Sequence, residues 1–300
     1  MLSPSQIEYF NVFGVLILRN VLSKDEVRKL NAEWDARLAT TTDGNAQGEK
    51  KYIMSWPNLG PDTPNARSLL EDQRVNEIVE SIYPDGFYGI SCNSSSKVGE
   101  TPWHPDSNFK NFHGIKVVTY LQPLNDDNGA LRVIPGSHRY PKHDEIKHIE
   151  MRKIKSDGLM REKKVDDANA KTNGGLAIGE VPAFACATNP GDIIVFDFRV
   201  WHASIGGAYD RRLLSMIFMK QAATPEEEDA INEQVKLSLS TRRARASESF
   251  AKRRPDYHPD WIANPENDPR RQCWIDWLGQ KGFFKLDCVA LKIAFLQSKV

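Results

Sequence analysis

The first forty residues alternate between helical and strand patterns. Ser3-Pro4-Ser5-Gln6 has a capping serine, a proline at the first helical position and a glutamine three residues after the cap. It predicts a helix through Tyr9 and Phe10. The apolar run GVLILRNVL (14–22) suits a buried strand, and Ser23-Lys24-Asp25-Glu26 repeats the capping box. The helix it opens carries Val27, Leu30, Trp34 and Leu38 at helical spacing. Residues 39–66 are polar and rich in turn formers and read as loop, and Leu69–Ile82 reads as helix again.

From about residue 86 the period changes from helix to strand. FYGISCNSSSKV (87–98), IKVVTYLQPL (115–124), ALRVIPGSH (130–138), GEVPAFACAT (179–188), GDIIVFDFRVWH (191–202) and RLLSMIFMKQ (212–221) are rich in β-branched and aromatic residues. NDDNG, PGSH, NPGD and GGAYD punctuate them as turns. Short strands with such turns and few helices predict an antiparallel sandwich or barrel. A charged segment, 139–178, interrupts the strands and reads as an insertion or a lid. After 222 the chain turns helical and charged, and its apolar end, WIDWLGQKGFFKLDCVALKIAFLQ, is expected to pack on the barrel or on another subunit. The organisation is one domain over 1–300: a helical part to 85, a β core over 86–222 and a helical extension over 223–300.

Charge removes one class of function. Forty Lys and Arg balance 40 Asp and Glu, so the chain lacks the basic footprint of a nucleic-acid binder. No run approaches the ~18 apolar residues of a membrane span, and the amino terminus does not resemble a signal peptide. A soluble, cytoplasmic protein is expected. Cys92, Cys186, Cys273 and Cys288 are widely spaced and read as free thiols.

The chemistry begins at TPWHPDSNF (101–109). On a strand, residues two apart share a face, so His104 and Asp106 can aim an imidazole and a carboxylate at one point. Pro105 holds His104 extended and removes a ladder donor, as at a strand end beside a cavity. His202, closing an apolar strand, supplies a second imidazole, and the link 203–210 returns the chain to Arg211-Arg212 beside it. Two histidines and one carboxylate form the facial ligand set of non-haem iron(II) oxygenases. Three positions stay open: a 2-oxo acid takes two, dioxygen the third, and the far carboxylate of the oxo acid needs a guanidinium clamp. Arg211 or Arg212 suits that role; on a strand only one of them points inward.

Together His104-x-Asp106, NG at 128–129 before PGSH, PGD-IIVFD-WH at 190–202 and the late arginine resemble the phytanoyl-CoA dioxygenase family of Fe(II)- and 2-oxoglutarate-dependent oxygenases. The front end, a helix then FGVLILRNVLS and a second helix, is similar to that family's opening. The resemblance covers roughly 3–38 and 86–220. It implies a mainly β protein with flanking helices around a double-stranded β-helix, or jelly-roll, with His104, Asp106 and His202 as iron ligands and catalytic centre. It favours Arg211 over Arg212 as the 2-oxoglutarate clamp. Asp106 favours oxygen transfer, because related halogenases replace this carboxylate. The expected reaction is oxidative decarboxylation of 2-oxoglutarate to succinate and CO2 coupled to hydroxylation of a small-molecule metabolite. The alternatives are a non-catalytic jelly-roll that binds metal or ligand, and a cupin-type metalloenzyme that does not use 2-oxoglutarate.

Other residues carry weaker expectations. Either face of 87–98, Cys92, Ser94 and Ser96 or Asn93, Ser95 and Lys97, could line the pocket. Lys116 is an odd charge in an apolar strand, suited to the pocket or to solvent. Trp103 and Trp201 are expected in the wall, pointing away from the metal. His113, His138, His143, His148 and His258 read as surface residues, and Ser107, Asn108 and Phe109 as the pocket mouth.

Overall fold

The computed structural model describes residues 1–41, 54–97, 99–151, 153–154, 160–161, 171–207, 211–247, 256–263, 265 and 268–284. In chain order the helices are α1 (Pro4–Phe13), α2 (Lys24–Thr41), α3 (Pro64–Glu71), α4 (Gln73–Ile82), α5 (Lys142–Glu145), α6 (Pro225–Ser247), α7 (Pro259–Ala263) and α8 (Pro269–Gln280). The strands are β1 (Val15–Leu18), β2 (Met54–Pro57), β3 (Phe87–Lys97), β4 (Thr101–His104), β5 (Gly114–Tyr120), β6 (Leu131–Val133), β7 (Lys153–Ile154), β8 (Met160–Arg161), β9 (Phe184–Cys186), β10 (Ile193–Asp197), β11 (His202–Ser204) and β12 (Arg211–Lys220).

Two antiparallel sheets form the core. The larger runs β1-β10-β5-β12-β3-β2 and the smaller β4-β11-β6-β9, the two layers of a jelly-roll. Period-two alternation sorts the large sheet's side chains. Ile115, Val117, Leu214, Met216 and Phe218 face the helices, with Ile78, Val79, Ile231, Val235, Trp274 and Leu278 in the same apolar cluster. Val118, Tyr120, Phe196 and Leu213 face inward and meet Leu131 and Val133 of the small sheet. The first helix starts as its residues dictate: Ser3 Oγ accepts from Gln6 N–H and Gln6 Oε1 from Ser3 N–H. It ends at Gly14, whose left-handed backbone (φ 73°) returns an N–H to the Phe10 carbonyl at 2.7 Å.

Four expectations are corrected. The loop reading of 39–66 overlooks β2 and the start of α3; β2 is an edge strand held by backbone pairing to the serine-rich end of β3 and by Trp56, which packs on Trp34 of α2. The helix at 69–82 is two helices, because the Asp72 side chain accepts from Arg74 N–H and caps a new start. The run 191–202 is not one strand. It leaves the large sheet after Asp197, turns through Phe198–Trp201, and re-enters the small sheet at His202. β11 and β12 therefore lie in different sheets and make no hairpin: His202 pairs with β4 and β6, Arg211 with Lys97 of β3.

The described part of 139–178 packs on the outer face of the small sheet, where Ile149, Met151 and Ile178 bury Trp103 and Trp201. The indoles donate to the carbonyls of Ile178 (3.0 Å) and His143 (3.2 Å), so both tryptophans sit in the wall as expected. A lid over 155–159 and 162–170 lies outside the described residues, as does the end of the chain from 285. Up to residue 284 the apolar tail packs as expected on the barrel, with Trp274, Ile275, Trp277 and Leu278 buried.

Candidate active site

Register builds the centre. His202 of β11 lies directly opposite His104 of β4, so the two imidazoles project from one face, their ring centroids 4.3 Å apart. Asp106 follows two residues beyond His104, past Pro105. Its backbone N–H and that of Ser107 both donate to the Phe198 carbonyl, at 2.7 and 3.0 Å. This pins the end of β4 to the turn that leads into His202. The carboxylate Oδ2 stands 3.9 Å from His202 Nε2, and one ligand atom from each of the three residues lies within 4.8 Å of the other two.

Each imidazole is also oriented from behind. His104 Nδ1 donates to the Pro102 carbonyl (2.6 Å) and His202 Nδ1 to the Val200 carbonyl (2.9 Å). A carbonyl can only accept, so the proton belongs on Nδ1 and the lone pair on Nε2, toward the carboxylate. Both rings are buried and Asp106 is half-buried.

Lys116 completes this end of the barrel. It belongs to the inward face of β5, between the register partners Phe196 and Ile217. Its Nζ lies 2.6 Å from the same Asp106 Oδ2, with the rings of Phe196 and Phe198 at 5.7 and 5.6 Å. Burial pushes the Asp106 carboxyl up, but the Lys116 ammonium, together with the charge of the two imidazoles when they are protonated, outweighs it and holds the group far below the ordinary carboxylate range. Of the two readings of Lys116, the pocket is the one observed.

The two arginines part. Arg212 lies on the outer face of β12, where it meets Asp35 (2.8 Å), Asn31 (3.0 Å) and the Trp34 ring on α2. Arg211 is 2% exposed, with Nη1 donating to the Gly129 carbonyl (2.7 Å) and Nη2 to that of Gly99. Its Nε is buried without a hydrogen-bond partner, and among the described residues no carboxylate forms an ion pair with it. Burial pushes this guanidinium down, while Tyr120 and Glu100 pull it back up. The NG turn acquires a reason: a side chain on Gly129 (φ 98°) would meet Arg211 Cδ at 2.8 Å.

On β3, Asn93 and Ser95 oppose Ser215 and the inward Leu213, so this face looks into the barrel. Cys92 and Ser94 face outward instead, bonding Ala66 and Asn58. The side chain of Lys97 lies outside the described residues. Ser107 is buried with its Oγ accepting from Phe109 N–H at 3.3 Å, whereas Asn108 is exposed.

Two histidines expected at the surface are buried. His143 sits between Tyr140 and Trp201, its Nδ1 facing the carbonyls of Ser137 and Arg199 and its Nε2 facing Asn108 Oδ1. His138 packs against Gly14, Nε2 facing the Asn11 carbonyl at 3.2 Å. His138 closes the PGSH turn and His143 lies in the charged α5, stretches whose polarity in sequence conceals tertiary burial. His148 is exposed, and His113 and His258 are partly so. Sequence reasoning missed Gln234 of α6, buried with its Nε2 3.5 Å from the Asp106 carbonyl oxygen. Its helix reads only as charged, and no local signal marks it.

This donor set, two imidazole nitrogens and one carboxylate with no thiolate among them, fits iron(II). The buried, carboxylate-free guanidinium of Arg211 fits the far end of an oxo dianion. The phytanoyl-CoA dioxygenase (PhyH) family model matches residues 10–211. The chain belongs to the phytanoyl-CoA dioxygenase family of iron(II)- and 2-oxoglutarate-dependent oxygenases. Among curated relatives it is 24% identical to the iron/alpha-ketoglutarate-dependent dioxygenase okaE of Penicillium ochrochloron, over 45% of this chain and 52% of that one. It is 23% identical to dioxygenase FrzG of Cladobotryum sp, over 73% and 75%. The chain thus spans about half the length of the first relative and three quarters of the second. Its fold is that of EvdO2 from Micromonospora carbonacea var. aurantiaca, solved in complex with 2-oxoglutarate, at a TM-score of 0.53 and 21% identity over 75% of this chain and 96% of that one.

Proposed function

We propose that this protein is an iron(II)- and 2-oxoglutarate-dependent dioxygenase that hydroxylates a small-molecule metabolite, with His104, Asp106 and His202 as the iron ligands and Arg211 as the co-substrate clamp. The observation that carries the reading is the convergence of the three ligand atoms within 4.8 Å, both Nδ1 atoms being held by backbone carbonyls. Iron and the oxo acid, when bound, supply the oxidant: 2-oxoglutarate is decarboxylated to succinate and CO2, and dioxygen gives one oxygen atom to succinate and one to the substrate.

The chain's own part is orientation and exclusion of water. His104 and His202 offer Nε2 lone pairs, and Asp106 keeps its charge. The buried Arg211 offers a dry cation to the distal carboxylate, an interaction stronger there than in water. Phe196 and Phe198 supply apolar wall beside the centre. The balance of 40 basic and 40 acidic residues supports a protein without affinity for nucleic acid. No described helix is long and apolar enough to cross a membrane. The buried free thiols of Cys92 and Cys186 support a cytoplasmic location.

The test is anaerobic addition of iron(II) and 2-oxoglutarate to metal-depleted protein, watched by visible absorption. A metal-to-ligand charge-transfer band is expected, followed on admission of air by succinate release that rises with the right substrate. Absence of the band from well-folded protein would refute the proposal.

A further inference from the structure

The ion pair between Lys116 and Asp106 is not an ordinary strut. Its ammonium meets Oδ2, the carboxylate oxygen that also faces His202 Nε2. A divalent ion gathered by the three ligand atoms and the ammonium of Lys116 therefore compete for one oxygen. Two positive charges that share an acceptor repel, and with the rings of Phe196 and Phe198 beside Nζ and both side chains of the pair only about a fifth exposed, water screens them less than at the surface.

A lysine that only held Asp106 in place would strengthen metal binding. The backbone already does that work: Asp106 and Ser107 N–H groups grip the Phe198 carbonyl, and Gln234 Nε2 reaches the Asp106 carbonyl. What remains for Lys116 is its charge. A dianion held beside the metal would reverse the balance, since it would bring two negative charges to an interior that holds Arg211 as well as Lys116.

We propose that Lys116 couples the two cofactors: its ammonium weakens the grip of the triad on a divalent ion until a 2-oxo dianion arrives and offsets the repulsion. The inference rests on the metal centre proposed above. It makes Lys116 a positioning residue, one that acts through Asp106 and through the field in the barrel. The functional consequence is that metal and 2-oxoglutarate bind as a pair, and that redox-active iron without co-substrate is held weakly.

The experiment is titration of metal-depleted, full-length protein with manganese(II), followed by calorimetry and by the electron paramagnetic resonance signal of free ion, with and without 2-oxoglutarate. Wild type, Lys116→Met, Lys116→Gln and Lys116→Arg are compared, after thermal melts select the variants that fold. Both neutral variants are expected to bind manganese(II) about tenfold more tightly than wild type in the absence of 2-oxoglutarate, a size in the usual range of coupling between sites. With 2-oxoglutarate present the affinities converge, so the tightening of metal binding by the oxo acid shrinks about tenfold in those variants, and by reciprocity so does the effect of metal on oxo-acid affinity. Lys116→Arg keeps the charge and both wild-type values. Metal binding that is unchanged or weaker in the neutral variants overturns the proposal, and so does tighter binding with the coupling intact. Either neutral variant alone suffices to decide. Wild-type protein that binds no divalent ion refutes the metal centre itself, whereas normal wild-type binding with unaltered variants refutes only the role of Lys116.

Discussion

The two faces of the large sheet carry opposite chemistry on the same strands. Outward, β5 and β12 present Ile115, Val117, Leu214, Met216 and Phe218 to a helical layer that closes over them with Trp274 and Leu278. Inward, Lys116, Arg211 and Ser215 interrupt a face that also carries Val118, Tyr120 and Leu213. Neighbours in sequence thus differ in what they cost and what they do. Outer residues stabilise the fold through buried area, whereas holding the inner charges inside the barrel is costly, a cost that the proposed ligands would offset.

That contrast can be broken first at the centre. His202→Ala is expected to abolish the charge-transfer band and lower turnover by about a thousandfold or more, the scale on which essential catalytic groups act. Its melting temperature should shift by only a few degrees, since the residue lies at a strand start and not in the outer cluster. Trp274→Ala attacks the other face. Removing a fully buried indole that packs on Phe87 and Phe218 should cost about 3–5 kcal/mol by chemical denaturation. The fraction that stays folded should retain wild-type affinity for 2-oxoglutarate.

The arginine pair sharpens the comparison within two residues. Arg211→Ala should weaken 2-oxoglutarate binding to the metal-loaded protein by roughly 30- to 100-fold, equivalent to about 2–3 kcal/mol for a charge-assisted, bidentate contact. Arg212→Ala, which loses an ion pair with an exposed aspartate, should leave that affinity within about twofold and cost at most about 1 kcal/mol of stability. Equal effects of the two changes on 2-oxoglutarate binding would contradict the assignment of faces.

The smallest expected effect lies far from both faces. The Arg74 guanidinium, with Ser23, holds the Glu26 carboxyl down to about 2 from 4.5. A lowered carboxyl stabilises the fold above its unfolded value and loses that contribution as pH falls through its folded one. Glu26→Gln should therefore cost about 0.5–1 kcal/mol near neutrality, the scale of a partly exposed pair, and the difference from wild type should fade between pH 4.5 and 2. Chemical denaturation across that range is the measurement, and a gap that persists at pH 2 would show another cause.

Much of the fold was legible because its signals are local. A capping box is spelled in four residues, and Ser3 and Ser23 both make theirs. Strand periodicity located β3, β5, β6 and β12. The triad could be read because His104 and Asp106 stand two apart, and because the late histidine and arginine come in the family's order. What failed had no local mark. The run 191–202 is apolar on both sides, so nothing in it shows the change of sheet after Asp197. β2 depends on a partner about forty residues away and carries little strand propensity of its own. The burial of His138 and His143 is imposed by Gly14, Trp201 and Tyr140.

The chain's own pattern settled the kinds of group that this protein brings together: two imidazoles, a carboxylate and an arginine. Folding settled their distances and their pairings. The 3.9 Å between Asp106 and His202 and the inward turn of Arg211 rather than Arg212 come from register between strands. The meeting of Lys116 with Asp106 comes from strands packed across the barrel. Side-chain period is a property of neighbouring residues, but register and the closing of one sheet over another are properties of partners that are remote in sequence.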